Sequence, residues 1–321
     1  MTQPTPLFIV GSGRSGTTIV ATLLNLLPRV HIAKETGFIG IHQNDLLKMR
    51  TSSEAKELIP MVNSWLNQND WQERASEDNY LKFCSETGLT GAVGLLNYVW
   101  QLDSESPWSD LQIVGDNTPL YVMAIPVILA LFPNARFIHM VRDPRDVVCS
   151  ILKMRFGACE TTTAAMEWHH YLGCWLLSER LIPQSQRIEC RYEDLCTYPG
   201  STFERIAAFA GFDGEVAEQA LKRHTSKQDE ARTGFERIAK WGHHRNLSEP
   251  LTPARIGRFR KELSAKQISQ IESIAQYGMR AYGYELSEWP THPLMLEDRI
   301  TITKAAVKDV LFRIRQRLRR T

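Results

Sequence analysis

Apolar residues along this chain follow two patterns, and the alternation between them gives the first expectation. Leu7 to Val10, Leu111 to Val114, Arg136 to Val141 and Arg187 to Cys190 are short runs of strand length, and Val30 to Ile32 reads as a further strand. Between them, apolar residues recur at helical spacing over Thr17 to Leu27, ended by Pro28, and over Leu120 to Leu131, closed by Pro133. Asp143-Pro144 places proline in the first turn of another helix. Thr162 to Leu181 and Ser201 to Ala210, the latter ended by Gly211, follow as helices. Strands alternating with helices predict an α/β fold of three layers, with a central parallel sheet and helices on both faces.

Three stretches stand apart from that alternation. Residues 40–110 hold helical patterns, including Ser53 to Leu66 and Leu89 to Leu102, with four of the eight tryptophans on or near them, and read as an insertion that covers a site. Residues 223–254 are polar, carry His243 and His244 with Pro250 and Pro253, and read as a long loop of the kind that shapes an acceptor or cofactor site. Helices are expected after it at Arg255 to Leu263 and Ala265 to Tyr282. In residues 300–321, Val307, Val310, Leu311, Ile314 and Leu318 recur at helical spacing among Lys304, Lys308, Arg313, Arg315, Arg317, Arg319 and Arg320, which gives a basic amphipathic helix. Such a helix either lies on an anionic membrane or packs on its own domain or a dimer mate. The organisation expected is one domain over 1–299 followed by this helix, with two separate domains as the alternative.

Composition changes this picture little. A hydrophobic content of 43% and a charged content of 23% are those of an ordinary globular chain. The apolar run after the N-terminus is too short for a signal peptide or membrane span, so a cytoplasmic protein is expected, with contact to the inner face of a membrane only through the C-terminal helix. Six cysteines without a Cys-x-x-Cys pair favour free buried thiols over a zinc site. The net charge of +2 names no partner, and the basic tail lacks a nucleic-acid reading motif.

The candidate chemistry begins at Gly11-Ser12-Gly13-Arg14-Ser15-Gly16-Thr17-Thr18, between a strand and a helix N-terminus. Exposed N–H groups and the helix dipole favour an anion there, and Gly13 and Gly16 let backbone approach it. The stretch reads as a phosphate loop, the plain alternative being a glycine-rich turn that merely joins strand to helix, but not as that of a nucleoside triphosphatase: Thr17 stands where the γ-phosphate lysine belongs. The cation is Arg14 instead, whose planar fork can hold two oxygens of a phosphate or sulfate. Arg142 ends a strand and Ser150 lies about two helical turns on, so both can face the carboxyl edge of the sheet. The plain alternative pairs Arg142 with Asp143 or Asp146 and leaves Ser150 on a helix surface.

These residues resemble a known family. The loop is similar to the 5′-phosphosulfate loop of sulfotransferases that use 3′-phosphoadenosine 5′-phosphosulfate (PAPS), in the arginine-containing form of the tyrosylprotein and carbohydrate enzymes. Phe132-Pro133-Asn134-Ala135-Arg136-Phe137-Ile138, then Val141 to Val147 and Ser150, resemble the family's 3′-phosphate strand, loop and helix, with Arg142 and Ser150 at the matching positions. Arg191-Tyr192-Glu193-Asp194-Leu195 with Pro199 resembles the next strand end, and Gly257-Arg258-Phe259-Arg260 the C-terminal basic segment. The resemblance implies PAPS as donor, adenosine 3′,5′-bisphosphate (PAP) as product and no required metal. It implies Gly13, Arg14, Ser15, Gly16, Thr17, Thr18, Arg142, Ser150, Tyr192 and Arg258 as donor-binding residues.

Sulfuryl transfer, like phosphoryl transfer, asks the protein mainly to position a loosely bonded group and to balance charge on the leaving phosphate. A base is still needed for the acceptor's proton, and the resemblance points to Glu35, with Arg14 binding the transferred group. The alternative for Glu35 is a surface carboxylate paired with Lys34, and His169, His170, His243 and His244 are further candidates as base. Where the family often carries lysine before Thr-Pro, this chain has Asn117, so either Arg14 suffices, or Lys34, Lys240 or Arg245 supplies that charge, or the activity is slow. Lys240-Trp241 also sets a cation beside an aromatic face. The acceptor is left open among small molecules, glycans, lipids and peptides. A kinase-like enzyme and a non-catalytic module binding PAP are the rival readings.

Overall fold

The computed structural model describes residues 3–68, 74–154, 160–226 and 251–287. His243, His244, Lys240, Trp241, Arg245, Cys159 and the C-terminal segment 300–321 lie outside the described residues. In chain order the regular elements are β1 (Thr5–Gly11), α1 (Thr17–Leu24), β2 (Val30–Ala33), α2 (Phe38–Leu46), α3 (Ser52–Ala55), α4 (Ile59–Gln68), α5 (Glu77–Thr87), α6 (Gly91–Leu102), β3 (Ile113–Asp116) and α7 (Ile125–Leu131). Then come β4 (Arg136–Val141), α8 (Pro144–Leu152), α9 (Thr161–Ser178), β5 (Arg187–Arg191), α10 (Tyr192–Thr197), α11 (Pro199–Ala210), α12 (Gly214–Ser226), α13 (Phe259–Glu262) and α14 (Ala265–Ala281). They form two compact units. One contains the chain up to Gly11, Gly16–Val141 and Cys174–Leu251; the other contains Ser12–Ser15, Arg142–Gly173 and the chain from Thr252.

The first unit is organised by a parallel sheet in the order β2-β3-β1-β4-β5, flanked by helices. Leu7, Phe8, Ile9 and Val10 on the central strand are fully buried, as a strand covered on both faces requires. The Phe8 ring meets Trp100 and Phe137 at 5.7 Å and Tyr121 and Phe132 at 6.1 Å between centroids. That aromatic cluster ties α6 and the segments on either side of α7 to β1. Asn25 closes α1: its amide donates to the Ile32 carbonyl at 3.0 Å and accepts from the Ile32 N–H at 2.7 Å, which fixes where β2 begins.

The second unit is held by α8, α9 and α14. Val148, Ala164, Ala165 and Ile271 are fully buried against one another, with Cys149, Phe259 and Ile268 as a second cluster. Asp143 caps α8 by accepting from the Arg145 N–H, with Pro144 in the first turn as expected. Ser264 and Gln267 form a reciprocal capping box on α14. Arg145 is buried, donates to Asp143 through two nitrogens at 3.0 and 2.7 Å and to Glu272 at 2.7 Å, and lies over the Phe259 ring. This buried ion cluster joins the start of α8 to α14.

Several elements depart from the expected pattern. β3 runs two residues past the apolar run because ladder pairing, which is indifferent to side-chain polarity, continues through Gly115 and Asp116. The stretch from Leu120 splits into a 3-10 turn over Pro119–Met123 and α7, with Pro126 setting the start of the latter. The first residues of the stretch expected as a loop from 223 belong instead to α12, which runs to Ser226, with His224 buried and Arg223 donating to the Leu26 carbonyl at 3.0 Å; residues 227–250 lie outside the described residues. Gly257, at φ 71°, confines the expected helix at 255–263 to a 3-10 turn, Pro253–Arg255, and the single turn α13. The five cysteines among the described residues are free thiols.

Truncating Phe8 to alanine should remove the hub of the aromatic cluster. We expect a loss of about 3–5 kcal/mol, read as a lower urea midpoint at unchanged m-value.

Candidate functional site

In the second unit the loop Ser12–Ser15, Arg142 and Ser150 form one hydrogen-bonded group. Arg14 Nε donates to Ser150 Oγ at 3.0 Å, and Arg142 donates to the Arg14 carbonyl at 3.2 Å and to the Arg255 carbonyl at 3.0 Å. Ser12 and Ser15 hydroxyls meet at 2.6 Å, and the Ser15 N–H turns back to the Ser12 carbonyl at 3.3 Å. Arg14 adopts φ 68°, a left-handed backbone uncommon for a residue with a side chain. The Trp168 indole donates to the Arg142 carbonyl at 3.0 Å, which fixes the residue following β4.

The neighbouring carboxylates are engaged as well, and Arg142 acts on Asp146 through its charge. Asp143 is engaged by Arg145, Ser150 accepts from Arg14, and Asp146 accepts from the Gly257 and Phe259 N–H groups at 2.7 and 3.0 Å. Burial raises the Asp146 carboxyl above its ordinary value, against the lowering effect of those N–H groups and of Arg142. Asp146 thereby fastens the segment bearing Arg258 to α8. Arg258 itself donates twice to Glu262, at 3.0 and 2.8 Å, at a partly exposed position. His169 and His170 are exposed on α9.

In the first unit, α1 opens at Gly16 without a side-chain cap, so its leading N–H groups are not taken by a capping oxygen. Gly16 has φ 96°, and a side chain there would begin 2.6 Å from the Tyr192 ring. Tyr192 is buried, follows β5 and lies against Gly16; Thr17 is buried and Thr18 half-buried.

Glu35 lies two residues beyond β2. Of residues 33–39 only Glu35 is exposed, while Thr36, Phe38 and Ile39 are buried. Lys34 pairs with Asp103 at 3.1 Å, and its N–H donates to the same carboxylate at 3.3 Å. Lys34 is thus held by Asp103, which argues against its replacing the missing lysine.

On the other flank of Glu35 is a network that no motif announced. Asp116, fully buried, accepts from the Thr36 hydroxyl at 2.5 Å, the Thr118 N–H at 2.8 Å, the Thr118 hydroxyl at 2.6 Å and the Trp100 indole at 3.4 Å. Tyr121 meets the Thr36 hydroxyl at 2.7 Å and accepts from the Ile39 N–H at 3.1 Å, and the Gly37 N–H donates to the Thr118 hydroxyl at 3.0 Å. Burial outweighs the hydrogen bonds and raises the Asp116 carboxyl to about 6, and burial with the Asp116 charge lifts the Tyr121 phenol well above its ordinary value. Asn117 is buried, and among the described residues its Oδ1 has no hydrogen-bond partner. The available signal was Asp-x-Thr after a strand, too common to single out.

Among the described residues no group of three or more His, Cys, Asp or Glu could hold a metal ion, and no helix is long and apolar enough to cross a membrane.

Comparison with known proteins adds an independent line. A model of the sulfotransferase family matches residues 6–215. An uncharacterised protein of Aquifex aeolicus is 26% identical over 266 residues, 77% of this chain but 31% of its own length. A putative protein-tyrosine sulfotransferase of Caenorhabditis briggsae is 24% identical over 68% of this chain and 69% of its own. The protein-tyrosine sulfotransferase of Drosophila melanogaster is also 24% identical, over 63% of this chain and 37% of its own, so the chain spans about a third of two of these relatives. Among solved structures, the sulfotransferase domain of the Synechococcus PCC 7002 olefin synthase shares the fold, with TM-score 0.55, 18% identity, and coverage of 89% of this chain and 98% of the domain. The sulfotransferase domain of the curacin biosynthetic pathway does so at TM-score 0.52 and 17% identity, covering 89% and 100%.

The Asp116 carboxyl carries a stability prediction. Its folded value, about 6, lies above the 3.8 of an unperturbed aspartate, so the folded state holds the proton more tightly. The resulting stabilisation is complete below the unfolded value and is lost as pH rises through the folded one. Urea titrations of wild type and Asp116→Asn should show wild type losing on the order of 3 kcal/mol relative to the variant between about pH 3 and pH 7. A pH-independent difference would refute the shift.

Proposed function

Since the chain belongs to the sulfotransferase family, we propose that it moves the sulfuryl group of PAPS to a hydroxyl or amine of an acceptor. The observation that carries this reading is the hydrogen-bonded group of Arg14, Ser150 and Arg142 in the second unit. The loop cation, the strand-end arginine and the helix hydroxyl that the resemblance assigns to the donor are physically joined.

In this reading Arg142 and Ser150 take the 3′-phosphate, and the uncapped start of α1, with Thr17 and Thr18, takes the 5′-phosphate. Tyr192 backs that helix start through Gly16. Arg258, spent on Glu262 without ligand, would have to exchange a carboxylate for a phosphate. Glu35 takes the acceptor's proton as the acceptor oxygen or nitrogen forms its bond to sulfur. The bond from sulfur to the bridging oxygen breaks, and its electron pair leaves on the 5′-phosphate of PAP. With Asn117 neutral and Lys34 held by Asp103, Arg14 is the cation of the described loop left to balance that charge, with Lys240 and Arg245, outside the described residues, as the alternatives. A tyrosine hydroxyl in a peptide is the first acceptor to try, because two of the relatives are named for that reaction.

Two measurements test this. PAP at about a hundred times its Kd should stabilise the protein by about 2.7 kcal/mol in a thermal-shift assay, ATP with Mg²⁺ should not, and Arg142→Ala with Ser150→Ala should abolish the response. A response to ATP alone would favour a kinase-like enzyme. Glu35→Gln should lower kcat for PAP release from PAPS by about 10²- to 10⁴-fold with PAP affinity unchanged; full turnover would remove Glu35 as base.

A further inference from the structure

The donor accounting around Asp116 fixes the direction of its network. Thr36 has one hydroxyl hydrogen, and a short contact to a carboxylate assigns it to Asp116. At the 2.7 Å contact between Thr36 and Tyr121, the tyrosine must then be the donor, and Tyr121 in turn accepts from the Ile39 N–H. One relay therefore runs from the Ile39 N–H through the Tyr121 and Thr36 hydroxyls to the carboxylate. A second runs from the Gly37 N–H through the Thr118 hydroxyl to the same group. Both start at the N-terminus of α2, whose leading N–H groups lack intrahelical acceptors. Hydroxyls linked in series polarise one another, so the buried charge is spread onto a helix end that favours it.

The consequence falls on the residue between two fixed points. Lys34 is fastened to Asp103 and Thr36 to Asp116, and Glu35, the exposed residue of the segment, stands between them. We propose that Asp116 is a positioning residue which, through the hydroxyls of Thr36, Thr118 and Tyr121, holds the backbone of residues 36–39 so that Glu35 is presented in one fixed orientation. The proposal rests on Glu35 being the base. It also explains why a carboxylate is kept in an apolar layer beside Trp100 and Tyr121 when an apolar residue would fill the space at lower desolvation cost.

The experiment uses the full chain, PAPS as donor, and water or a tyrosine-containing peptide as acceptor, following PAP release. Thr36→Val removes the hydroxyl at nearly constant volume and should lower kcat on the order of 10²-fold, the scale of a small misplacement of a reacting group, while leaving PAP affinity unchanged. Thr36→Ser, which keeps the hydroxyl, should restore most of the rate. Tyr121→Phe cuts the relay one step further out and serves if Thr36→Val does not fold. In a Glu35→Gln background, Thr36→Val or Tyr121→Phe should cost little more, because the group they orient is gone. Wild-type kcat in these variants, a loss that serine does not rescue, or an undiminished loss in the Glu35→Gln background would overturn the proposal while leaving Glu35 as base. Full turnover by Glu35→Gln would overturn both.

Discussion

A parallel sheet covered on both faces leaves little room for polar groups along its strands, and this constraint organises the rest of the molecule. Leu7 to Val10 on β1 are without solvent contact, and their backbone groups are committed to β3 on one side and β4 on the other. Apart from the His139–Glu189 pair between β4 and β5, polar groups gather where the strands stop. Ser12 follows β1, Lys34 follows β2, Asn117 follows β3, Arg142 follows β4 and Tyr192 follows β5. Open α/β sheets bind ligands beyond the carboxyl ends of their strands for this reason.

In each unit, buried charge is set within a cluster of hydrogen bonds. Asp146 accepts two backbone N–H groups, Arg145 is divided between Asp143 and Glu272, and Asp116 gathers four hydrogen bonds. None of these groups would be tolerated unpaired at such burial. Each crosses between elements distant in sequence and so sets the geometry of a loop that packing alone would leave loose. The sheet supplies rigidity, and the paired charges supply orientation.

How much of this was readable beforehand depended on whether the signal was local. Strand β4 matched residue for residue, and α8 began at the expected proline, because a bounded apolar run and an Asp-Pro start are local features. Arg14, Arg142 and Ser150 could be named from spacing and family likeness, and the hydrogen bonds among them needed the fold. α10 was missed, and so was the whole of α12, whose polar residues leave only a thin apolar stripe of Ala217 and Ala220 to read. The Asp116 network was invisible, because its members at 36, 100, 116, 118 and 121 are ordinary residues until β2 and β3 come side by side.

Arg14 holds its backbone at φ 68°, where a residue with a Cβ is disfavoured by about 1–2 kcal/mol and glycine is not. Glycine would relieve that strain but would forfeit the hydrogen bond from Arg14 to Ser150 and add freedom to the unfolded chain, so stability alone gives little reason to keep or to lose the guanidinium. If Arg14 meets the transferred group as proposed, a library screened for heat resistance alone would be blind to its loss, and a screen meant to keep function must hold it fixed.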